Sequence, residues 1–414
     1  MSAPKTNEIE LSPPAALVSA QGMSLSQDAW RRLRKNRVAM LSLGTLITIC
    51  LLAILTPLLP LQPPDHAQTA LQYEHPTASP FWVASRTLDE DEVARTPKIV
   101  SELYKELATL KESYEHTTID TEEHANARNL VRRKEAEIQD TIQAPYRKLG
   151  YPPLGFLSRW MVQARFSLFG DRNVNSLCGR DLLGRDLLSR LFWGARISLL
   201  VGLVATIVSL VIGVNYGAIS GYCGGWIDDA MMRLVDVLYS VPFIFVVIFL
   251  LTILSEESIA DELAYWGINR ITVFFLVVGA IYWLTMSRVV RGQVISLKHE
   301  LFVEAARSLG ASQTRIVFLH LLPNLLSVVL VYLTLTIPRV MLFEAFLSFL
   351  GLGVEPPDVS WGLLANEGIK VITPVKIYWW LILFPSLALG TTLLALNFLG
   401  DGMRDALDPR LRDA

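Results

Sequence analysis

Glu304 to Pro323 reads EAARSLGASQTRIVFLHLLP, a charged and small-residue segment set between two long apolar runs. Glu304, Ala305 and Ala306 fit one turn of a short helix, and the two small side chains permit close approach of another backbone. Gly310 is free to take a positive φ and turn the chain toward a second helix. In that second helix the spacing places Ile316, Leu319 and His320 on one face. Leu322 closes the segment, and Pro323 opens the next span where a missing amide donor matters least. Glu304 and Arg307 offer charge to a partner surface. A chain that only anchors or conducts has little use for such an element, which suits docking into a groove on a soluble protein. The same residues also fit an ordinary loop lying on a membrane.

The runs on either side set the fold class. Of 414 residues 52% are hydrophobic and 18% charged, with a mean hydropathy of +0.39, the profile of several membrane spans. Apolar runs occur near Val38–Leu59, Ile197–Ser220, Leu234–Leu254, Ile271–Met286, Leu325–Phe346 and Ile377–Leu399, against the roughly 20 residues a bilayer requires. The first follows Arg31, Arg32, Arg34, Lys35 and Arg37 and leaves through Pro57, Pro60, Pro63 and Pro64. It is therefore read as a retained span, since a cleavable signal has a shorter core and a small-residue exit.

Six spans place both termini on one side. The N-terminal tail carries six Lys/Arg, Ser287–Pro323 five and the tail after Gly400 three, whereas the short loops on the other face hold only Arg270, Lys370 and Lys376. Excess Lys/Arg marks the cytoplasmic side, so both termini and the Glu304–Pro323 segment are expected there. The division expected is a cytoplasmic tail at 1–37, a first span at 38–60, an extracytoplasmic insert at 61–190, a core of spans two to six at 191–403 containing the segment 298–323, and a cytoplasmic tail at 404–414.

The insert is a different material. Arg86 to Lys148 holds 11 basic and 14 acidic residues, which no span tolerates. Ile99, Leu103, Leu107, Leu110 and Tyr114 recur at helical spacing, and a weaker series runs through Leu130, Val131, Ile138 and Ile142. The expectation is an antiparallel helical hairpin turning near Thr117 to Glu123, with a flexible solvated linker as the alternative. An aromatic amphipathic stretch from Phe156 to Phe169 suits the membrane surface.

Polar residues and prolines inside the spans mark candidate pathway or hinge positions. Pro242, Pro338 and Pro385 each remove a helix amide, either as hinges or as packing kinks. Asn215, Asp236, Arg339, Glu344 and Asn397 are costly in lipid and should face the bundle interior, a water-filled route or a headgroup boundary. Cys50, Cys178 and Cys223 fall within a span, outside and inside, so no disulfide is expected. The net charge of −2 gives no basis for a nucleic-acid partner.

The spacing Glu-Ala-Ala, three residues, Gly310, nine residues, then His320-x-Leu322-Pro323 resembles the signature of the membrane subunits of bacterial ABC importers. Further stretches do so too: GRDLLGRDLLSRLFWGARISLLVG from Gly179, SGYCGGWIDDAMMRLVDVLYSVP from Ser220, EAFLSFLGLGVEPPDVSWG from Glu344 and LNFLGDGMRDALDPRLR from Leu396. Four matches in order identify the chain as resembling the dipeptide, oligopeptide and nickel permease family, specifically its second permease. Three departures stand out. Gly179-Arg180-Asp181 replaces the usual Gly-Thr-Asp, Arg339 replaces what is typically a small residue, and the insert is unusually long.

The resemblance implies an all-α integral membrane protein with six spans of the type I importer permease architecture, working by alternating access. It implies four partners: a homologous second permease, two ATPase subunits and an extracytoplasmic solute-binding protein. Glu304, Ala305, Ala306, Arg307, Gly310, His320, Leu322 and Pro323 would couple to the ATPases, which bind ATP and magnesium. This chain needs no cofactor of its own and lacks any Gly-Lys dipeptide of a nucleotide-cradling loop. No metal-ligand cluster or nucleophile motif is legible, so it is read as a transporter subunit and not an enzyme. The alternatives are a secondary transporter or channel, which should show interrupted spans and internal symmetry, and a membrane-tethered sensor or scaffold.

Overall fold

The computed structural model describes residues 25–407 apart from 117–121, 255, 257–258, 260–261, 264–267, 269 and 355. The first 24 residues, the tail from 408 and most of the expected hairpin turn lie outside the described residues. Five helices among these are long and apolar enough to cross a bilayer, and a bent pair, counted as one broken span, makes six.

Helix α1 (Leu25–Lys35) leads into α2 (Arg37–Leu55), the first span, whose start is fixed by Asn36: its side chain accepts hydrogen bonds from the Val38 and Ala39 amides. The second span, α6 (Leu187–Cys223), begins ten residues before the apolar run at Ile197 does. Its extra turns carry Ser189, whose hydroxyl donates to the Gln62 carbonyl, and Arg190, whose partners are described below. The third crossing is not one helix. α7 (Gly225–Ser240) and α8 (Phe243–Leu254) meet at Val241 and Pro242 with an 85° bend. Pro242 has no amide to continue the ladder, and hydropathy is blind to that loss. The fourth and sixth spans are α9 (Arg270–Leu297) and α13 (Trp380–Leu407); the fifth is α11 (Leu322–Phe349), and α12 (Trp361–Lys370) lies between it and the sixth.

Spans two and four pack most closely, because α6 presents Gly213, Gly217 and Gly221 to α9. A Cβ on Gly217 would collide with the Ser287 carbonyl, and one on Gly221 would sit 2.8 Å from the Arg291 carbonyl oxygen. Small residues at four-residue spacing let two helix backbones touch, which is how spans associate where apolar burial gives no preference over lipid. At one end of the bundle Gly402 of α13 packs on Ala39 and Leu33, so the start of the first span lies against the end of the sixth.

The insert is a closed excursion. β1 (Trp82–Ala84) pairs antiparallel with β2 (Arg172–Val174), pinning together the chain on either side of α3 (Glu90–Glu115), α4 (Glu122–Arg147) and α5 (Phe156–Phe169). Ion pairs Glu92–Lys148 (2.7 Å) and Glu106–Lys134 (2.8 Å) set α3 and α4 antiparallel. Leu103, Leu107, Val131 and Ile138 form their seam, while Ile99 and Leu130 are exposed at its margins. Arg128 of α4 reaches Glu262, between the third and fourth spans, at 2.7 Å. α5 buries Met161, Val162 and Arg165 and leaves Phe156, Leu157, Trp160 and Leu168 exposed, a stripe suited to an interfacial helix.

Candidate functional site

The segment between spans four and five is a short helix seated on the bundle. In α10 (Leu301–Ser308) Val303 joins a cluster with Val290, Val294, Ile316, Val317, Leu321 and Leu325, and Ala306, three residues on, is also buried. Glu304, Ala305 and Arg307 point away and are exposed. Glu304 lies in the first turn and Arg307 in the last, so both charges favour the helix dipole. The helix ends in a Schellman motif: the Gly310 amide donates to the Arg307 carbonyl and the Ala311 amide to the Ala306 carbonyl, each at 3.0 Å. This geometry puts Gly310 at φ +80°, a conformation glycine adopts without strain.

Ser312 then caps a helical turn, Gln313–Arg315, that runs into a π-helical stretch, Ile316–Leu321. The expectation that Ile316, Leu319 and His320 share a face fails here for a geometric reason. A π-helix repeats every five residues in its bonding, so Leu321, not Leu319, joins Ile316 underneath. Leu321 is fully buried, Leu319 is 64% exposed and His320 is half-buried. The exposed side therefore carries Leu301, Leu309, Phe318 and Leu319 together with Glu304 and Arg307. Leu322 is half-buried and Pro323 exposed in the first turn of α11. Large apolar side chains held in the open beside charged ones mark a surface that meets another protein or a membrane.

The pathway candidates are placed separately. Pro242 sits at the break in the third crossing, whereas Pro338 and Pro385 are buried within helices that run on through them. The Asn215 amide nitrogen donates to the Val211 carbonyl at 2.7 Å. Glu344 is fully buried and accepts a bond from Ser348 at 2.7 Å. Asp236 pairs with Arg288 at 2.8 Å on the exposed side, and Arg339 and Asn397 are also exposed.

Sequence reasoning missed a buried ion cluster at the head of span two. Asp181 accepts from Arg185 Nε and Arg190 Nη1, each at 2.7 Å, and its other oxygen takes the Leu183 and Arg185 amides. Arg190 also pairs with Glu367 of α12, and Arg185 with Asp65 at 3.4 Å. Arg180 donates to Glu74 at 3.0 Å. Burial pushes the Asp186 carboxyl up to about 6, although the Ser176 hydroxyl and the amides of Ser189 and Leu188, which it caps, favour its charged form. The signal present in the sequence was the doublet Arg180-Asp181 and Arg185-Asp186; its partners lie over a hundred residues away.

Residues 213–413 match the family of binding-protein-dependent transport system inner membrane components, and residues 24–78 match the N-terminal TM domain of oligopeptide transport permease C. The dipeptide transport system permease protein DppC of Bacillus subtilis is 44% identical over 234 residues, 56% of this chain and 68% of that one. For the oligopeptide transport system permease protein OppC of Escherichia coli K12 the identity is 47% over 249 residues, 60% and 77% of the two chains. The glutathione transport system permease protein GsiD of Pectobacterium atrosepticum is 39% identical over 236 residues, 56% and 72%. The hairpin falls between the two family matches. With the seated segment, the six crossings and these relatives in hand, the chain belongs to the family of inner membrane permease components of binding-protein-dependent ABC importers.

Proposed function

We propose that this chain imports oligopeptides or dipeptides as one half of a two-permease pathway, its companion being a homologous second permease. Two ATPase subunits supply the ATP and magnesium sites, and an extracytoplasmic binding protein delivers substrate. Both termini and α10 lie in the cytoplasm of a bacterial inner-membrane system, as the Lys/Arg distribution favours. The observation that carries the reading is the coupling segment, in which exposed Leu301, Leu309, Phe318 and Leu319 flank Glu304 and Arg307 above a buried seat. Closure of the ATPases on ATP moves α10 and, through Val303 and Ala306, the ends of spans two and four. The energy transferred is the difference in affinity of this surface for the closed and open ATPase arrangements.

Glu304→Arg should abolish co-purification of the ATPase while the chain remains in the membrane. Retained ATPase in a pull-down would sink the docking assignment. The break at Pro242 is a feature that secondary transporters also use. Uptake into vesicles driven by an ion gradient without ATP would favour that reading.

The hairpin α3–α4 is proposed to shape the docking face for the binding protein. Deleting Arg86 to Lys148 should spare insertion and ATPase association, because β1 and β2 close the excursion at its base. Capture of the loaded binding protein, read by surface-immobilised complex, should fall; unchanged capture and uptake would make the hairpin a passive spacer.

A further inference from the structure

Arg339 is not absorbed by the coupling machinery. It follows buried Pro338 in the interior of α11, roughly 15 Å from the helix end at Phe349, at 1.5 Å per residue. Its neighbours Val340 and Met341 are fully buried, whereas Arg339 is exposed on the side that also carries exposed Leu342 and Phe346. Among the described residues its guanidinium has no ion pair and no hydrogen bond. Its backbone carbonyl accepts the Tyr282 hydroxyl of α9 at 3.2 Å. The Tyr282 ring meets Phe343 edge-on, and Phe343 meets Phe243 of α8, with centroids 6.3 and 6.0 Å apart.

An unpaired guanidinium at this depth does not face hydrocarbon; such residues line a route or meet another protein. A permanent pair with an acid on the companion permease would tie the two halves together where alternating access requires them to part. The surroundings fit a passing ligand better: one planar cation on an exposed face that otherwise carries Leu342 and Phe346, the mixture of few polar groups and apolar lining found in small-molecule sites.

We propose that Arg339 faces the translocation route and holds the terminal carboxylate of the peptide through the forked geometry that guanidinium offers to carboxylates. This rests on the peptide-importer reading above.

The test uses the full complex with its binding protein in proteoliposomes, comparing ATP-driven uptake of a peptide with that of its C-terminal amide. The binding protein's own preference is common to all variants and cancels between them. Arg339→Gln should lower uptake of the free acid about tenfold and that of the amide little, the scale of one lost charge-assisted pair. Arg339→Lys, which keeps the charge without the fork, should fall between. Equal losses for acid and amide would overturn the assignment. So would loss of the companion permease from the purified Arg339→Gln complex, which would make Arg339 an interface residue. Absence of ATP-driven uptake by the wild-type complex would instead remove the importer reading itself, and this proposal with it.

Discussion

Valine at position 310 is expected to leave the chain in the membrane while separating ATP hydrolysis from uptake. Gly310 has φ +80° at the end of α10, and a Cβ built there meets nothing within 4 Å. The effect of substitution is therefore conformational and not steric. A left-handed backbone costs an ordinary side chain roughly 1–2 kcal/mol, and a β-branched one more. The Schellman closure would open, and α10 would lose its fixed angle to the π-helical stretch while Val303 still sought the cluster beneath. Substrate taken up per ATP hydrolysed should drop about tenfold, the equivalent of roughly 1.4 kcal/mol in coupling. Asn tolerates this region better than other non-glycine residues, so Gly310→Asn should retain most of the coupling, with Gly310→Ala between the two. Normal coupling by the valine variant in reconstituted vesicles would show that the turn transmits nothing.

That turn was legible because glycine after a helical segment has few other uses. The spans were legible for a similar reason: a bilayer accepts little besides a long apolar helix, so the runs at Val38–Leu59 and Leu325–Phe346 leave few options. The failures are equally physical. Pro242 stood out in the run Leu234–Leu254 as a hinge or a packing kink, but nothing in the sequence distinguished its 85° bend from the continuous helices around Pro338 and Pro385. The face shared by Ile316, Leu319 and His320 was drawn at α-helical spacing, and six residues of π-helix shifted it to Leu321. The apolar run of span two starts near Ile197, directly after Arg196, whereas its helix starts at Leu187. Arg190 is 1% exposed in its side chain, and the acids that admit it, Asp181 and Glu367, are brought together only by the fold.

That cluster carries the largest stability effect expected of a single substitution. Asp181→Ala removes an acceptor from both Arg185 and Arg190 and strips the Leu183 and Arg185 amides of their shared oxygen. A buried charge deprived of a partner typically costs about 3–5 kcal/mol, and the loss should loosen the contact between the head of α6, the loop around Asp65 and α12. Cys178 reports on this region. Its thiol is buried, and burial, aided by the nearby Asp186 charge, pushes it up to about 12, so it should resist alkylation near neutral pH. Cys50 and Cys223 are exposed and must first be replaced by serine. In that background Asp181→Ala should raise the labelling rate of Cys178 by at least about a hundredfold if local opening carries the full penalty. Adding Arg190→Met should recover part of the protection, because an apolar side chain leaves no uncompensated charge. Labelling as slow in Asp181→Ala as in the parent would mean that apolar packing around Leu187, Trp361 and Trp380 holds this end of the bundle without help from the ions.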